Sequence, residues 1–440
     1  MTAKRPIRLA AAALAAGLVA PLFSARPSAP SSPGLRRDVL KNGLTLIVEH
    51  DAAAAVTVLE ILSKGGKRAE APGFEGLSYL TTRLAIEIPD QSKAMELTER
   101  ASQWGTAGKG DYSVIHLESL TEHFEPTLAI LIGILKDPLF TNIRIDRVRD
   151  YMNNQRQIES DDNVNAAHLA HLRLWPGARS YAGSVFGEEA SLKKLRSRDV
   201  EAFFKAHFAP DNLIVTAVSD LDADKLAAIL ARGFGDLAAD PKAVRAVPPV
   251  PPAEAAGTEP VVFPRDSKQV CVSMGFGLPA LTERTYVLAR LFENLLGKGP
   301  GSRLWPLRAE RKLAYTVSAQ ATLMREGGLL EAYLETDPAK RDESLSALRD
   351  ALSALHQEGV PETELAETKS MVKAEFLRTN ETRDRRVGLR GFFEAVGLGA
   401  AYFESFPAMV DAITAADLTA FIREFGDPAK ATVVFAGPAK

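Results

Sequence analysis

The sequence predicts an α+β fold built twice: two similar domains, each a mixed or antiparallel sheet with helices packed to one side, together forming a half-clamshell. Three observations predict it. A few strand-like runs alternate with many helical ones along the chain. DVEAFFKAHFAPDNLIVTAVS near residue 200 resembles DLTAFIREFGDPAKATVVFAG near the C-terminus, with Asp199/Asp417, Ala202/Ala420 and Phe203/Phe421 in register, a helix running into a terminal strand in each copy. Between the copies, DPKAVRAVPPVPPAEAAGTEP is too rich in Pro and Ala for regular structure and reads as a linker.

Residues 1–25 read as an export signal, because Lys4, Arg5 and Arg8 precede an apolar stretch from Leu9 to Phe23 that is short for a membrane span. Phe23-Ser24-Ala25 is a poor cleavage site, so an exported, periplasmic chain is expected, either released or tethered by the uncleaved signal. Residues 26–35 form a tether, 36–238 a first domain, 239–260 the linker and 261–440 a second domain.

In the first domain, DVLKNGLTLIVEHD holds two strand-like runs around Asn42-Gly43, a hairpin signal. AVTVLEILSKGG alternates as a further strand. Helical patterns follow over 76–86 and 91–104, then the extended run DYSVIHLESL, then helices through LAILIGILKD and VRDYMNNQRQI. AVTVLEILSKGG and QVCVSMGFGLPA each precede a long helix, a second sign of duplication.

Composition sets bounds on function. At 440 residues, 46% hydrophobic and 25% charged, the chain can bury more than one core. A net charge of −3 supplies no basic face, which argues against a nucleic-acid partner. Cys271 is the single cysteine, so no internal disulfide can form, and its apolar run QVCVSMGFG predicts a buried strand thiol.

Chemistry concentrates in SRLWPLRAERKLAY, Ser302 to Tyr315. Leu304, Leu307 and Leu313 are the apolar positions of a helix that carries Arg308, and Tyr315 opens the strand-like run YTVSAQATL. Pro306 is foreign to a helix interior, so the helix starts later or bends there. A fixed cation and a phenolic donor on one wall of a cleft can bind a peptide carbonyl and steady a developing oxyanion. The same two residues also suit a solvated helix face and a strand edge.

This segment resembles the SRL...LRE..GLAY motif in the C-terminal domain of pitrilysin/insulinase-type zinc peptidases, the inverzincins, which include mitochondrial processing peptidase. Ser302, Arg303, Leu304, Leu307, Arg308, Leu313, Ala314 and Tyr315 match; Lys312 stands where that family has glycine. Active members carry H-x-x-E-H on an N-terminal-domain helix, two zinc-binding histidines around a general-base glutamate, with a further glutamate ligand downstream. The corresponding stretch is PGFEGLSYLTTRLA. By that resemblance Gly76 and Leu80 occupy the histidine positions, Tyr79 the base position, and Gln157 the downstream ligand position, with Glu159 two residues beyond.

The resemblance therefore implies a non-catalytic subunit, inactive alone, of a heterodimeric zinc metallopeptidase. Tyr315 would donate to the scissile carbonyl or oxyanion and Arg308 would hold the substrate backbone, while a homologous partner supplies zinc, water and base. No cofactor is expected in this chain. The alternative is a structural, assembly or peptide-binding protein of the same fold. A third reading, a peptidase with a relocated metal, has little to draw on. His168 and His171 share a helix face without a third ligand, and His50, His116, His123, His207 and His356 are scattered. No serine stands in a nucleophile-elbow context. The family adds substrate as a strand to a sheet edge; here Gly105, Gly108 and Gly110 weaken the matching strand, and no peptide contacts are assigned to it.

Overall fold

A computed structural model describes residues 34–88, 91–175, 181–242, 245 and 259–438. The expected export signal, nearly all of the tether and most of the linker lie outside these residues.

The first sheet takes its strands from β1 (Leu35–Val39), β2 (Thr45–His50), β3 (Val56–Ser63), β4 (Gln103–Gly108), β5 (Ser113–Leu120) and β6 (Leu213–Ser219), in the order β1-β2-β6-β3-β5-β4. Its helices are α1 (Leu77–Leu84), α2 (Gln91–Glu99), α3 (Thr121–Lys136), α4 (Asn142–Asp161), α5 (Asn163–Leu174), α6 (Glu189–Leu192), α7 (Ser197–His207) and α8 (Ala223–Phe234). The β1–β2 hairpin turns at Gly43, whose φ of +89° favours glycine.

The second sheet is β7 (Val261–Pro264), β8 (Val270–Leu278), β9 (Ala314–Met324), β10 (Gly327–Thr336) and β11 (Thr432–Gly437), in the order β7-β11-β8-β10-β9. With it come α9 (Glu283–Gly297), α10 (Trp305–Ala309), α11 (Arg341–Glu358), α12 (Glu362–Thr379), α13 (Arg383–Val396), α14 (Tyr402–Ala412) and α15 (Ala415–Phe425).

The two halves share one topology. Replacing β2, β6, β3, β5, β4 by β7, β11, β8, β10, β9 reproduces the strand order, with β2–β6 and β7–β11 parallel and the other pairs antiparallel. The aligned aspartates do the same work in each copy: Asp199 accepts the Arg196 N–H and Asp417 the Thr414 N–H, both at 2.9 Å, closing the first turns of α7 and α15. The repeat also reaches a place the sequence comparison missed. Ala101 and Lys312 each lie two residues before an edge strand, and both are left-handed, at φ +50° and +53°. That left-handed residue also ends the helix expected over 91–104: α2 stops at Glu99, and Gln103 to Gly108 turns into β4.

Side chains of each sheet alternate between two cores. Leu59 and Ile61 of β3 join the cluster under α3 and α8, whereas Val58 and Leu62 face the opposite side. That opposite side is covered by a helix from the other half. α13 lies on β3 and β6, and α5 lies on β8, β10 and β11. Helices on one side describes each half's own complement; the exchange buries the second face, which is why LIVTAVS of β6 is buried throughout.

Both crossings are close. Ala166, Ala167 and Ala170 of α5 pack on Cys271, Val434 and Ala436, so the thiol is buried as expected, and burial pushes its pKa up. A Cβ on Gly391 of α13 would stand 2.6 Å from Leu62. Arg390 of α13, 4% exposed, bonds Glu49 of β2 and Glu404 of α14, each at 2.6 Å. Arg386 reaches Glu49 at 2.9 Å and pairs with Asp51. Among the described residues no single helix is long and apolar enough to cross a membrane.

Candidate functional site

The Ser302–Tyr315 segment divides into a scaffold and a presented pair. Leu304, Leu307 and Leu313 are buried in the second core. Arg303 forks Glu364 at 2.7 and 2.6 Å, and Ser302 donates to the Gly299 carbonyl at 2.8 Å. α10 begins at Trp305, which places Pro306 in the first turn, where its missing N–H has no intrahelical partner to lose. The helix therefore starts late.

On this base Arg308 and Tyr315 come together. Tyr315 is the second residue of the edge strand β9 and is 77% exposed. The Arg308 guanidinium lies 4.5 Å from its ring centroid and 5.0 Å from that of Trp305. Two aromatic faces thus hold the cation, and among the described residues no carboxylate pairs with it. Trp305 was not singled out from the sequence, although a Trp three residues before an Arg on a helix is the signal that would have found it.

The other half of the expected machinery is replaced by hydrocarbon. α1 starts after Gly76, which is left-handed at φ +93°. A Cβ there would stand 2.9 Å from the Gly187 Cα and the Leu192 Cδ2, and 3.1 Å from the Met152 Cε. Leu80 is wholly buried, and Tyr79 is 4% exposed, edge-on to Phe186 at 4.8 Å and stacked with Tyr151 at 6.5 Å. Burial pushes the Tyr79 phenol up to about 12. The residues present do not fit a zinc ion, for they offer neither an imidazole nor room for one.

Gln157 does not meet α1. It is exposed on α4 and donates to Asp161 at 2.9 Å; the α4 residues clustered with α1 are Ile145, Val148 and Met152, with Tyr151 stacked on Tyr79. Glu159 accepts from the Ser184 hydroxyl. What caps α1 is Glu70, whose carboxylate accepts the Gly76 and Ser78 N–H groups at 3.0 and 2.9 Å. Its burial outweighs Lys67 at 3.7 Å and these bonds, and raises its pKa to about 7.

His168 and His171 are packing residues of the α5 crossing. His168 pairs with Glu331 of β10 at 2.5 Å, and His171 fits between Ser273 Oγ at 2.9 Å and Thr432 Oγ1 at 2.7 Å. β4 is the outer strand of its sheet, as the resemblance implies, and a Cβ on Gly105 would meet nothing within 4 Å.

Residues 194–372 match the family described as "Peptidase M16 inactive domain". An uncharacterized zinc protease of Bacillus subtilis is 20% identical over 363 residues, 81% of this chain and 87% of that protein. A probable mitochondrial-processing peptidase subunit beta of Arabidopsis thaliana is 20% identical over 327 residues, 71% of this chain and 61% of that protein. Among solved structures, a peptidase M16 inactive domain from Pseudomonas fluorescens superposes with a TM-score of 0.83 at 20% identity, over 93% of this chain and 98% of that one. A chain of Complex III2 from Candida albicans gives 0.77 at 16% identity, over 92% and 96% of the two chains. The periplasmic protease PqqL of Escherichia coli gives 0.73 at 14% identity, over 92% of this chain and 46% of that one. Across its described residues the chain has the fold of the M16-like peptidase structures, and residues 194–372 match that family's inactive domain, so the chain is similar to the pitrilysin/insulinase-type, or M16, peptidases.

Proposed function

We propose that this chain is the non-catalytic subunit of a two-chain zinc metallopeptidase, inactive alone, that lends Arg308 and Tyr315 to the site of a homologous zinc-bearing partner. The observation that carries this reading is the contrast between two places in one molecule. Arg308 and Tyr315 stand together at an exposed strand edge. The helix that would hold zinc is filled by Tyr79, Leu80, Met152 and Leu192. In the assembled site Tyr315 donates to the oxyanion of a cleaved peptide bond and Arg308 holds the substrate backbone; zinc, water and general base belong to the partner. The substrate class is a peptide or an unfolded protein segment.

Export to the periplasm fits the basic and apolar run over residues 4–23 and the periplasmic relative. A second reading, an inactive assembly subunit, draws on the likeness to a chain of Complex III2.

The test is to purify the chain alone, an H-x-x-E-H homologue alone, and the two co-expressed, and to follow cleavage of an unstructured fluorogenic peptide. Activity of the pair well above that of either chain supports the proposal. A stable pair no more active than the homologue alone favours the assembly reading.

A further inference from the structure

Where α13 crosses the first sheet, its two flanks are held differently. Around the end of β2 and the first residue of β3, Arg383, Arg386 and Arg390 make direct bonds to Asp51, Glu49 and the Val56 carbonyl. On the β3–β5 side three potential ligands converge without touching. His116 of β5 pairs in register with Glu60 of β3, and Asp384 in the first turn of α13 completes the group. The His116 Nδ1 lies 3.7 Å from Glu60 Oε1 and 3.6 Å from Asp384 Oδ1, beyond hydrogen-bond length, and one ligand atom from each residue lies within 4.8 Å of the others.

Atoms so spaced leave a point between them at about 2.0–2.6 Å from each, the range of metal–ligand bonds. The surroundings leave the place open. Gly388 presents bare backbone to Glu60: a Cβ there would meet its two carboxylate oxygens at 3.6 Å. Gly105, opposite His116 on β4, has no neighbour that a Cβ would meet. Glu60, Asp384 and Gly388 also line a cavity of about 630 Å³ between the halves. Burial lowers the pKa of His116, but the carboxylates of Glu60, Asp384 and Glu118 outweigh it and raise the pKa.

We propose that Glu60, His116 and Asp384 form a site for a divalent transition ion, zinc or manganese, that clips α13 of the second half to β3 and β5 of the first. One imidazole and two carboxylates suit these ions, and the remaining coordination positions face the cavity. The site is separate from α1 and from Arg308, so its role is to fasten the two halves. No local pattern in the chain points to it, because its members are 56 and 268 positions apart.

The test is titration of the chelator-treated, full chain with Zn²⁺ and Mn²⁺, with Mg²⁺ as the hard-ion control, read by calorimetry and by the thermal midpoint. Expected are about one Zn²⁺ or Mn²⁺ per chain, a raised midpoint, and a loss of affinity of at least about tenfold in Glu60→Gln, His116→Ala and Asp384→Asn. His123→Ala removes a surface imidazole and should change nothing. Glu60→Gln keeps the shape of the side chain, so it reports on the ion if the other variants fold poorly. No binding at tens of micromolar metal, or binding that survives all three substitutions, overturns the proposal.

Discussion

The Arg308 guanidinium lies over the ring of Tyr315, Cζ to centroid 4.5 Å, and the stack is completed by Trp305 at 5.0 Å. A planar cation resting on aromatic rings is held in place by them without using up its hydrogen-bond donors. In an active pair, Tyr315→Phe should therefore lower kcat by roughly 10²- to 10³-fold, as expected for loss of an oxyanion donor. Arg308→Lys, which keeps the charge and loses the stacked plane, should lower kcat/KM by roughly tenfold, mainly through KM. Steady-state kinetics of a confirmed complex decides, and equal kcat for wild type and Tyr315→Phe would remove the role given to that hydroxyl.

Lys312 stands at φ +53° where the resembled family has glycine. A left-handed backbone costs an ordinary residue about 1–2 kcal/mol, of which glycine's greater freedom in the unfolded chain returns a part. Lys312→Gly should stabilise the protein by about 0.5–1 kcal/mol, seen as a higher urea midpoint at an unchanged m-value. A lower midpoint would mean that the lysine side chain has a stabilising contact.

Rebuilding the zinc helix should fail. Gly76→His, Tyr79→Glu and Leu80→His together would push a side chain into Leu192 and Met152 and bury two polar groups among Val148, Phe186 and Leu195. Overpacking and unpaired polar burial predict a loss of at least about 3 kcal/mol and no gain of zinc at that helix. Chemical denaturation and metal analysis of the triple variant check both parts; a stable variant that binds zinc through the two introduced imidazoles would show that α1 is only loosely packed.

His171 is buried against Ser273 and Thr432, and burial pushes its pKa down to about 4. The unfolded chain takes up a proton there below about pH 6.5, whereas the folded chain does so only near 4, so its contribution to stability falls as pH drops through that window. His207, also pushed down to about 4 by burial, adds to the same acid limb. His168 has the opposite sign: Glu331 outweighs burial and raises its pKa, so its contribution is present below about 6.5 and fades as pH rises through the raised value. The advantage of wild type over His171→Gln should shrink by roughly 3 kcal/mol between pH 7 and 4. Urea midpoints of the two proteins across that range give the slope directly.

The fold was legible where local chemistry decides it. Asn42-Gly43 marked the hairpin, and Asp199 and Asp417 marked equivalent helix starts. Tyr315 and Arg308, seven residues apart, are paired in the sequence by the motif they resemble, since the turn through left-handed Lys312 between α10 and β9 follows no regular spacing. What the sequence hid depends on partners far along the chain. The α2 end at Ala101 looked helical because alanine favours helices, and its left-handed turn follows from the start of β4. Gln157 was placed by counting residues, but the face a helix turns inward is set by its partner, and α1 selects Tyr151 and Met152. His168 and His171 share a face as their spacing said; that this face lies against the second sheet is not written nearby.

With α5 and α13 exchanged, packing joins the two halves in addition to the chain that runs from α8 to β7. A chain cut there by a protease should still migrate as one particle, since each fragment keeps a helix seated in the other's sheet with Arg390 and His171 locked behind it. Neither fragment expressed alone can cover its exposed sheet face, so the halves are expected to become soluble only when made together, and to melt in a single transition.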